Sequence, residues 1–317
     1  IRTRTQAAGE TSVSDYVLVT GGIGLIGNAV RRRLEDRGDK VVAIDRVAAT
    51  IDGREVIECD VTDAHGLHAI ARRYPIRAIV HCGAFSGPMV SPDHPMQMIR
   101  VNIGGTANVG ELARILGGIR LVFASTATAY GLTPGGPVRE DVAMEPDSMY
   151  GASKAASEQI LNAYKRQFGV DTVSLRLTWV YGPRRTTACL IRQMLTDALA
   201  GRTTRIPYGR DFPRQYIHLD DAADSMIAAL DRPNLPQQAY NISGGNWLTL
   251  SEVAETVMRA VPGAKVEVAA GDDPGDIRQE RFDISAAARD LGYTPKISLE
   301  DGVKSYLSWL KAKGTAA

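Results

Sequence analysis

Short apolar runs alternate along the first half of the chain with longer segments in which apolar residues recur every three or four positions. Runs of this kind predict strands, and the three-to-four spacing predicts amphipathic helices. The predicted strands cover 16–19, 40–44, 55–61, 77–81, 119–123 and 172–177. The predicted helices begin near Leu25 and cover 63–73, 96–116 and 150–168, and a long loop spans 83–95. This alternation predicts an α/β fold with a parallel, doubly wound sheet and right-handed crossovers.

The pattern changes after Tyr181-Gly182-Pro183. Helices predicted near 188–200, 220–230 and 251–261 are separated by short strands and by loops rich in proline and glycine. We therefore expect a nucleotide-binding domain over 16–178 and a smaller α/β substrate lobe over 179–317, with the chain crossing back to the large domain near 216–230. Residues 1–15 are polar and lack an apolar core, so we expect a disordered extension there.

A glycine-rich turn, Thr20-Gly21-Gly22-Ile23-Gly24-Leu25-Ile26-Gly27, joins the first predicted strand to the first helix. Such a turn presents free backbone N–H groups and the positive end of the helix dipole, which together bind a pyrophosphate. Gly21 permits a positive φ, Gly24 lets the backbone approach the phosphates, and Gly27 lets the helix pack close to the strand. Leu25 and Ile26 complete this predicted cofactor contact.

Asp45 follows the second predicted strand, about 20 residues after the turn, where an acid accepts hydrogen bonds from the adenosine ribose diol. A carboxylate also repels a 2′-phosphate, so the sequence favours NAD over NADP as the cofactor. The neighbouring Arg46 acts in the opposite direction, because its guanidinium can receive that phosphate.

Composition excludes several classes of protein. With 44% apolar and 23% charged residues and a formal charge of +1, the chain of 317 residues is an ordinary globular protein without the basic footprint of nucleic-acid or membrane binding. No apolar stretch is long enough to cross a bilayer. The three cysteines, Cys59, Cys82 and Cys189, lack metal-ligand spacing, so we expect no metal and a reduced, cytoplasmic protein.

Tyr150-Gly151-Ala152-Ser153-Lys154 places a phenol and an ammonium group one turn apart on one helix face. A nearby cation stabilises phenolate, so we expect the pKa of Tyr150 to fall from about 10 toward the working pH. Tyr150 can then exchange a proton with a substrate hydroxyl while a nicotinamide exchanges hydride with the carbon that bears it. The strand ending in Ser125-Thr126 brings hydroxyls to the same sheet edge, and either one can bond the reacting oxygen.

Five segments occur in an order that resembles the extended short-chain dehydrogenase/reductase family, specifically its NAD-dependent epimerase/dehydratase branch with the nucleotide-binding Rossmann fold: TGGIGLIG, FASTATAYG, YGASK, LRLTWVYGPR and RQYIHLDDAA. The resemblance covers about Tyr16 to Leu310. It implies that Thr126, Tyr150 and Lys154 form the catalytic triad and that Asp60 and Val61 flank the adenine. It further implies that the cofactor path is lined by Cys82, Gly83, Ala84, Asn102, Ser125 and Val180.

The triad is shared by dehydrogenases, which consume NAD, and by epimerases, which regenerate it in each turnover. In 4,6-dehydratases of this family an Asp-Glu pair follows the hydroxyl residue, but Ala127 and Thr128 stand there in this chain. Neither can do that acid/base work, so the resemblance implies a nucleotide-sugar 4-epimerase-like enzyme or a dehydrogenase. A cofactor-sensing regulator without chemistry is the alternative of another class, although such proteins usually lack the Tyr/Lys pair.

The substrate remains open at this point. Arg214 matches an arginine that grips the diphosphate of nucleotide sugars in the family, but Trp179 and Asp273 replace other parts of that grip. An aspartate facing a diphosphate weakens binding unless Arg278 or Arg281 takes over. The alternative is a smaller sugar or sugar acid held by Arg184, Arg185 or Arg214, with Trp179 as a wall of the pocket.

Family members often form homodimers through the helices that correspond to 96–116 and 150–168. Apolar residues on these two segments permit the same pairing here, although burial in the core explains them equally well. The residues are Val109, Leu112, Leu116, Ile160, Leu161 and Tyr164.

Overall fold

The structure is a computed structural model that describes residues 15–90, 93–133 and 135–314. Most of the extension expected over residues 1–15 therefore lies outside the described residues. Asp15 is described, and its carboxylate accepts a hydrogen bond of 2.7 Å from Lys40 Nζ.

The first part of the chain builds strands and helices in strict alternation, apart from one short hairpin. Asp63 is the N-cap of α2, where its side chain accepts a hydrogen bond from Gly66 N. The elements are β1 (Tyr16–Thr20), α1 (Leu25–Asp36), β2 (Lys40–Asp45), β3 (Ala49–Ile51), β4 (Arg54–Glu58), α2 (Ala64–Arg73) and β5 (Ile76–His81).

The helix predicted over 96–116 is present, but its middle is wound as a π-helix. It comprises α3 (Pro95–Met98), the π-helical segment Ile99–Gly104 and α4 (Gly105–Ile115). At Gly105 a Cβ atom would lie 2.6 Å from Val61 Cγ2, so this helix passes too close to Val61 for a larger residue. Then follow β6 (Arg120–Thr126), a short 3-10 turn (Ala127–Tyr130), α5 (Met149–Phe168) and β7 (Thr172–Leu177).

The remaining elements are shorter. They are β8 (Trp179–Tyr181), α6 (Leu190–Leu199), β9 (Thr203–Ile206), β10 (Pro213–Arg214), β11 (Tyr216–His218), α7 (Leu219–Asp231), β12 (Ala239–Ile242), β13 (Leu248–Thr249), α8 (Leu250–Ala260), β14 (Lys265–Val268), the π-helical segment Ala287–Leu291 and α9 (Leu299–Ala312). Three two-stranded sheets, β8 with β11, β9 with β14 and β10 with β13, hold this part together.

The central sheet has eight strands in the order β12-β7-β6-β5-β1-β2-β4-β3. Every neighbouring pair is parallel except β3 with β4. The predicted doubly wound Rossmann fold is therefore confirmed. The direction of winding reverses between β1 and β5, and ligands of such sheets bind outside the carboxyl ends of the strands at this switch point.

Successive side chains of a strand point to opposite faces of the sheet, and the two faces are covered by different helices. On β1, Val17 and Val19 pack in one core cluster with residues of α1 and α7, whereas Leu18 packs in a second cluster with residues of α2 and α4. Three residues considered for a dimer contact, Val109, Leu112 and Leu161, are buried in this second cluster, because both helix faces that carry them turn toward the sheet.

α7 packs against α1, and β12 pairs with β7 at the edge of the central sheet. The chain thus contributes to the large sheet again after β8, close to the predicted crossing near 216–230. The division into lobes at residue 178 stays a prediction. Among the described helices, none is long and apolar enough to span a membrane.

Candidate functional site

A cavity of about 590 Å³ opens at the carboxyl edge of the central sheet. Its walls come from the turn after β1, the ends of β2, β5 and β6, the start of α5 and the segments around β8 and β10. The cavity therefore lies at the switch point between β1 and β5, where the sequence predicted the cofactor and substrate.

The glycine turn forms one wall of the cavity and fits a dinucleotide phosphate. Gly21 has φ +69°, and a Cβ atom there would lie 2.8 Å from the carbonyl carbon of Cys82. At Gly27 a Cβ atom would overlap the carbonyl group of Gly21. Gly24 is the N-cap of α1 and provides no side chain to cap the first amides of the helix. Leu25 and Ile26, the first two residues of α1, line the cavity. Free amides and a close backbone suit a pyrophosphate.

Asp45 and Arg46 also line the cavity. The Asp45 carboxylate accepts hydrogen bonds from Ile23 N at 3.0 Å and from Arg46 N at 2.8 Å, which fixes its orientation toward the turn. Each carboxylate oxygen has more than one acceptor site, so the group can still receive a ribose diol. The Arg46 side chain is exposed.

The predicted adenine neighbours and the following wall segment are in place. Asp60 and Val61 line the cavity together with Cys82, Gly83 and Ala84. Asp60 also holds its own turn, because its Oδ1 accepts hydrogen bonds from the backbone N and hydroxyl of Thr62, each at 2.8 Å. Asp60 thus stabilises the turn after β4 and also lines the cavity.

Asn102 is not among the residues that line the cavity, and its place on the cofactor path stays a prediction. It is 1% exposed and lies behind the wall. Its Oδ1 accepts a hydrogen bond of 2.8 Å from Phe85 N, and its Nδ2 donates to Phe85 O at 3.2 Å and to Ser153 Oγ at 2.9 Å. Asn102 therefore fixes the loop after β5 to the helix that carries Tyr150 and Lys154.

Tyr150 lies in the first turn of α5, whose N-cap Ser148 accepts a hydrogen bond from Gly151 N. The side chain is 8% exposed and faces the cavity. Burial raises the pKa of Tyr150, while the hydroxyls of Thr126 and Ser86 and the charge of Arg185 act to lower it. The expected fall of this pKa through Lys154 is therefore wrong for the protein alone, because desolvation exceeds the stabilising contacts.

Lys154 lies one turn further along α5 and is 3% exposed. Its Nζ donates a hydrogen bond of 2.8 Å to Ala124 O and lies 4.5 Å from the centroid of the Phe123 ring. Burial lowers the pKa of Lys154 to about 8. The ammonium group is thus held by β6 at the floor of the cavity. Because its pKa is about 8, Lys154 gains or loses its proton close to neutral pH.

The two hydroxyls at the end of β6 have different partners. Ser125 donates to the Glu158 carboxylate, which pairs with Arg176 Nη2 at 2.8 Å behind the wall. Thr126 instead donates a hydrogen bond of 3.1 Å to Thr128 Oγ1. Its side chain also hydrogen-bonds the Tyr150 phenol, which acts to lower the pKa of that phenol. Of the two candidates, Thr126 is therefore the one whose hydroxyl lies beside the Tyr150 phenol.

The substrate candidates Trp179, Arg184 and Arg214 all line the cavity, as does Val180. Both arginines are already paired: Arg184 with Asp52 at 2.6 Å, and Arg214 with Asp273 and with Asp276 at 3.1 Å. Trp179 is half-buried and donates from Nε1 to Asp276 at 3.1 Å, so it forms a wall of the pocket. Arg278 and Arg281 are exposed and do not line the cavity.

Sequence reasoning missed several wall residues. Ser86, which acts on the Tyr150 phenol, lies in the predicted loop over 83–95, where no periodic pattern marks a functional position. Asp276 and Gln279 come from a segment far along the chain; the Pro274-Gly275-Asp276 turn beside Asp273 was the available signal. In the parts of the chain that the structure describes, no group of three or more His, Cys, Asp or Glu is arranged to hold a metal ion.

Comparison with known proteins agrees with this geometry. The model of the NAD dependent epimerase/dehydratase family matches residues 17–243. UDP-glucose 4-epimerase of Mycolicibacterium smegmatis is 30% identical over 317 aligned positions, which cover 93% of this chain and 98% of the relative. UDP-glucose 4-epimerase of Azospirillum brasilense is 33% identical over 331 aligned positions, which cover 95% of this chain and 93% of that relative.

Solved structures show the same fold. Thermus thermophilus UDP-glucose 4-epimerase in complex with NAD superposes with a TM-score of 0.83 at 29% identity, covering 95% of this chain and all of that one. Thermotoga maritima UDP-glucose 4-epimerase with UDP-glucose gives a TM-score of 0.87 at 25% identity, covering 94% and 99%. Because the family model spans most of the chain and the relatives match over nearly their whole length, this chain belongs to the NAD dependent epimerase/dehydratase family and uses NAD.

Proposed function

We propose that the chain oxidises, and in an epimerase re-reduces, a secondary hydroxyl carbon of a sugar or sugar-like substrate, with Tyr150 as the acid/base group. The observation that carries this proposal is that Tyr150, Thr126 and Lys154 line the same cavity as the glycine turn and Asp45. A candidate proton-transfer group and a candidate dinucleotide cradle thus share one cavity. The 4-epimerase relatives make a sugar the first candidate substrate.

The residues that would hold NAD are those of the glycine turn, Asp45 and the segment after β5. The first amides of α1 would receive the pyrophosphate, and the Asp45 carboxylate would receive the ribose diol. Asp45 also supports the preference for NAD, because a 2′-phosphate would meet its negative charge. Bound NAD supplies the hydride acceptor of the reaction.

Tyr150 performs the proton transfer in this proposal. Because burial raises its pKa, the phenol holds its proton at neutral pH in the protein alone. Deprotonation therefore needs positive charge nearby. Arg185 is the cation that acts on the phenol, and Lys154 is a second cation that lines the same cavity. Thr126 orients the reacting oxygen by a hydrogen bond, and the phenolate takes the proton of the substrate hydroxyl.

The two residues after Thr126 argue against a 4,6-dehydratase reaction. A 4,6-dehydratase needs carboxyl groups where this chain has Ala127, which is buried, and Thr128. Among the remaining reactions, nucleotide-sugar 4-epimerisation is the first candidate. Oxidation of a free sugar or sugar acid is the second, and the two aspartates on Arg214 favour it because they occupy an arginine that a diphosphate would need.

The experiment is an incubation of the purified protein and NAD with UDP-, GDP- and dTDP-sugars beside free sugars and sugar acids. Net NADH production, read by absorbance, identifies a dehydrogenase. Conversion to an epimer without net NADH, read by chromatography, identifies an epimerase. Absence of both with every sugar and sugar acid contradicts the proposed substrate class.

We also propose that the protein forms a homodimer in the reducing cytoplasm. Ile160 and Tyr164 on α5 and Leu116, the C-cap of α4, are half-buried, and Ile115 on α4 and Phe168 on α5 are about half exposed. This partly apolar surface supports helix pairing. The cysteines are free thiols, which supports a reducing compartment. Light scattering tests the assembly: a particle of twice the 34.1 kDa chain mass is expected, and a monomer alone contradicts it.

A further inference from the structure

Arg214 lies on β10 in the wall of the cavity, and its side chain is 5% exposed. Its guanidinium pairs with the Asp273 carboxylate and, at 3.1 Å, with Asp276 Oδ2. The same guanidinium lies 4.6 Å from the centroid of the Trp179 ring. We call Trp179, Arg185, Arg214 and Asp276 the Arg214 wall.

Both aspartates are held in place by the backbone and by Trp179. Asp273 Oδ1 accepts a hydrogen bond of 2.8 Å from Gly275 N. Asp276 accepts one of 3.0 Å from Ile277 N at Oδ1 and one of 3.1 Å from Trp179 Nε1 at Oδ2. The ion pairs with Arg214 are therefore buried, and hydrogen bonds fix the orientation of both carboxylates. A surface ion pair, in contrast, rearranges freely.

The charges around Arg214 disfavour a bound anion there. One guanidinium faces two carboxylates, so a phosphate that approached Arg214 would meet a negative charge on either side. Arg185 is the other cation of the wall; it donates to the carbonyl oxygens of Val180 and Ala188 and lies 5.9 Å from the Trp179 ring centroid. Among the described residues no carboxylate pairs with Arg185, so this wall retains one cation that can face a single negative charge.

The remaining polar groups suit hydroxyls. Thr178 Oγ1 is buried and has no hydrogen-bond partner among the residues described, although Thr178 lines the cavity. A buried hydroxyl without a partner is costly, and a ligand hydroxyl would satisfy it. Further hydroxyl side chains line the cavity at Ser86, Thr126, Thr128, Thr186 and Thr187.

We propose that the Arg214 wall takes a hydroxyl-rich substrate group with at most one negative charge, and that Asp273 and Asp276 exclude a diphosphate by occupying Arg214. This inference rests on the proposed function and selects its second substrate candidate, a free sugar or sugar acid, over a nucleotide sugar. In this respect the chain would differ from enzymes whose substrate carries a nucleoside diphosphate, although the fold and the cofactor cradle are shared.

The test measures binding of UDP and of inorganic pyrophosphate to the NAD-saturated protein by titration calorimetry near neutral pH. We expect the wild type to bind both more weakly than about 1 mM. Asp273→Asn removes one carboxylate from Arg214, and we expect it to bind UDP at least about tenfold more tightly. Asp276→Asn removes the other carboxylate and is the second variant should the first fail to fold.

Asp272→Asn is the matched control, because Asp272 is exposed and pairs with the exposed Arg278 in the same loop. We expect it to leave UDP binding at the wild-type level. Unchanged NAD affinity and melting temperature show that each variant is folded. Micromolar UDP binding by the wild type overturns the inference, and so does a failure of both folded Asp273 and Asp276 variants to gain affinity.

These binding results need no turnover. A protein that binds UDP tightly can still show Tyr150-dependent activity, and a protein without sugar conversion can still exclude UDP. Failure of the inference and failure of the proposed function are thus distinguishable.

Discussion

Lys154 Nζ donates a hydrogen bond to the carbonyl oxygen of Ala124 at 2.8 Å, and this contact joins helix α5 to strand β6 beneath the cavity. The lysine is almost completely buried, and burial lowers its pKa from 10.5 to about 8. A cation that the fold desolvates in this way destabilises the protein at low pH.

The first prediction follows from that pKa. Between pH 8 and 10.5 the unfolded chain binds more protons at Lys154 than the folded chain, so the free energy of unfolding rises with pH over this window. We expect the stability advantage of Lys154→Met over the wild type to be largest below pH 8. It should shrink by about 3 kcal/mol by pH 10.5, as measured by urea unfolding. A difference that does not change with pH contradicts the lowered pKa.

A second prediction concerns the buried pair of Glu158 and Arg176, whose side chains are 1% and 6% exposed. Glu158→Gln keeps the shape but leaves the Arg176 charge without its carboxylate. Breaking a buried pair in this way costs about 3–5 kcal/mol of unfolding free energy. Glu300→Gln, which breaks the exposed pairs with Lys304 and Arg259, is the control and should change stability little. Equal effects of the two variants contradict the prediction.

The glycine turn gives a third prediction. Gly27→Ala places a Cβ atom on the Gly21 carbonyl, so we expect a loss of about 1–3 kcal/mol in stability and weaker NAD binding. Gly104→Ala is the matched control, because its Cβ would meet no atom within 4 Å and its φ is −62°. That substitution should stabilise the protein by about 0.5–1 kcal/mol. Thermal unfolding and a fluorescence titration with NADH measure both effects.

Asn102 allows a fourth prediction. Asn102→Leu removes three hydrogen bonds to Phe85 and Ser153 and leaves the partly buried backbone N–H and carbonyl of Phe85 without these partners, at a cost of about 1–3 kcal/mol. Because the loop after β5 loses its anchor, we expect a larger KM for NAD. Unchanged stability together with an unchanged KM would show that the loop is held by other contacts.

Local patterns were sufficient for much of this site. The glycine turn, Asp45 and the Tyr150–Lys154 pair lie within single elements or at their ends, where spacing alone places the side chains on one edge or face. The hairpin formed by β3 and β4 was missed, although Asp52-Gly53 is a typical turn pair for two short strands.

Other features depend on distant parts of the chain. The pairing of Arg214 with Asp273 joins residues 59 positions apart, and Asn102 reaches Phe85 and Ser153 from a π-helical segment. The pKa of Tyr150 was also predicted in the wrong direction. Helical spacing shows that Lys154 is near, but it does not show that burial outweighs the charge.

The most direct test of the central claim is the turnover of Tyr150→Phe with NAD and a substrate that the wild type converts. Phenylalanine keeps the ring in its buried position and removes the group that transfers the proton. We predict at least about a hundredfold loss of kcat with little change in NAD affinity. A variant that turns over at the wild-type rate would contradict the role of Tyr150 and, with it, the proposed mechanism.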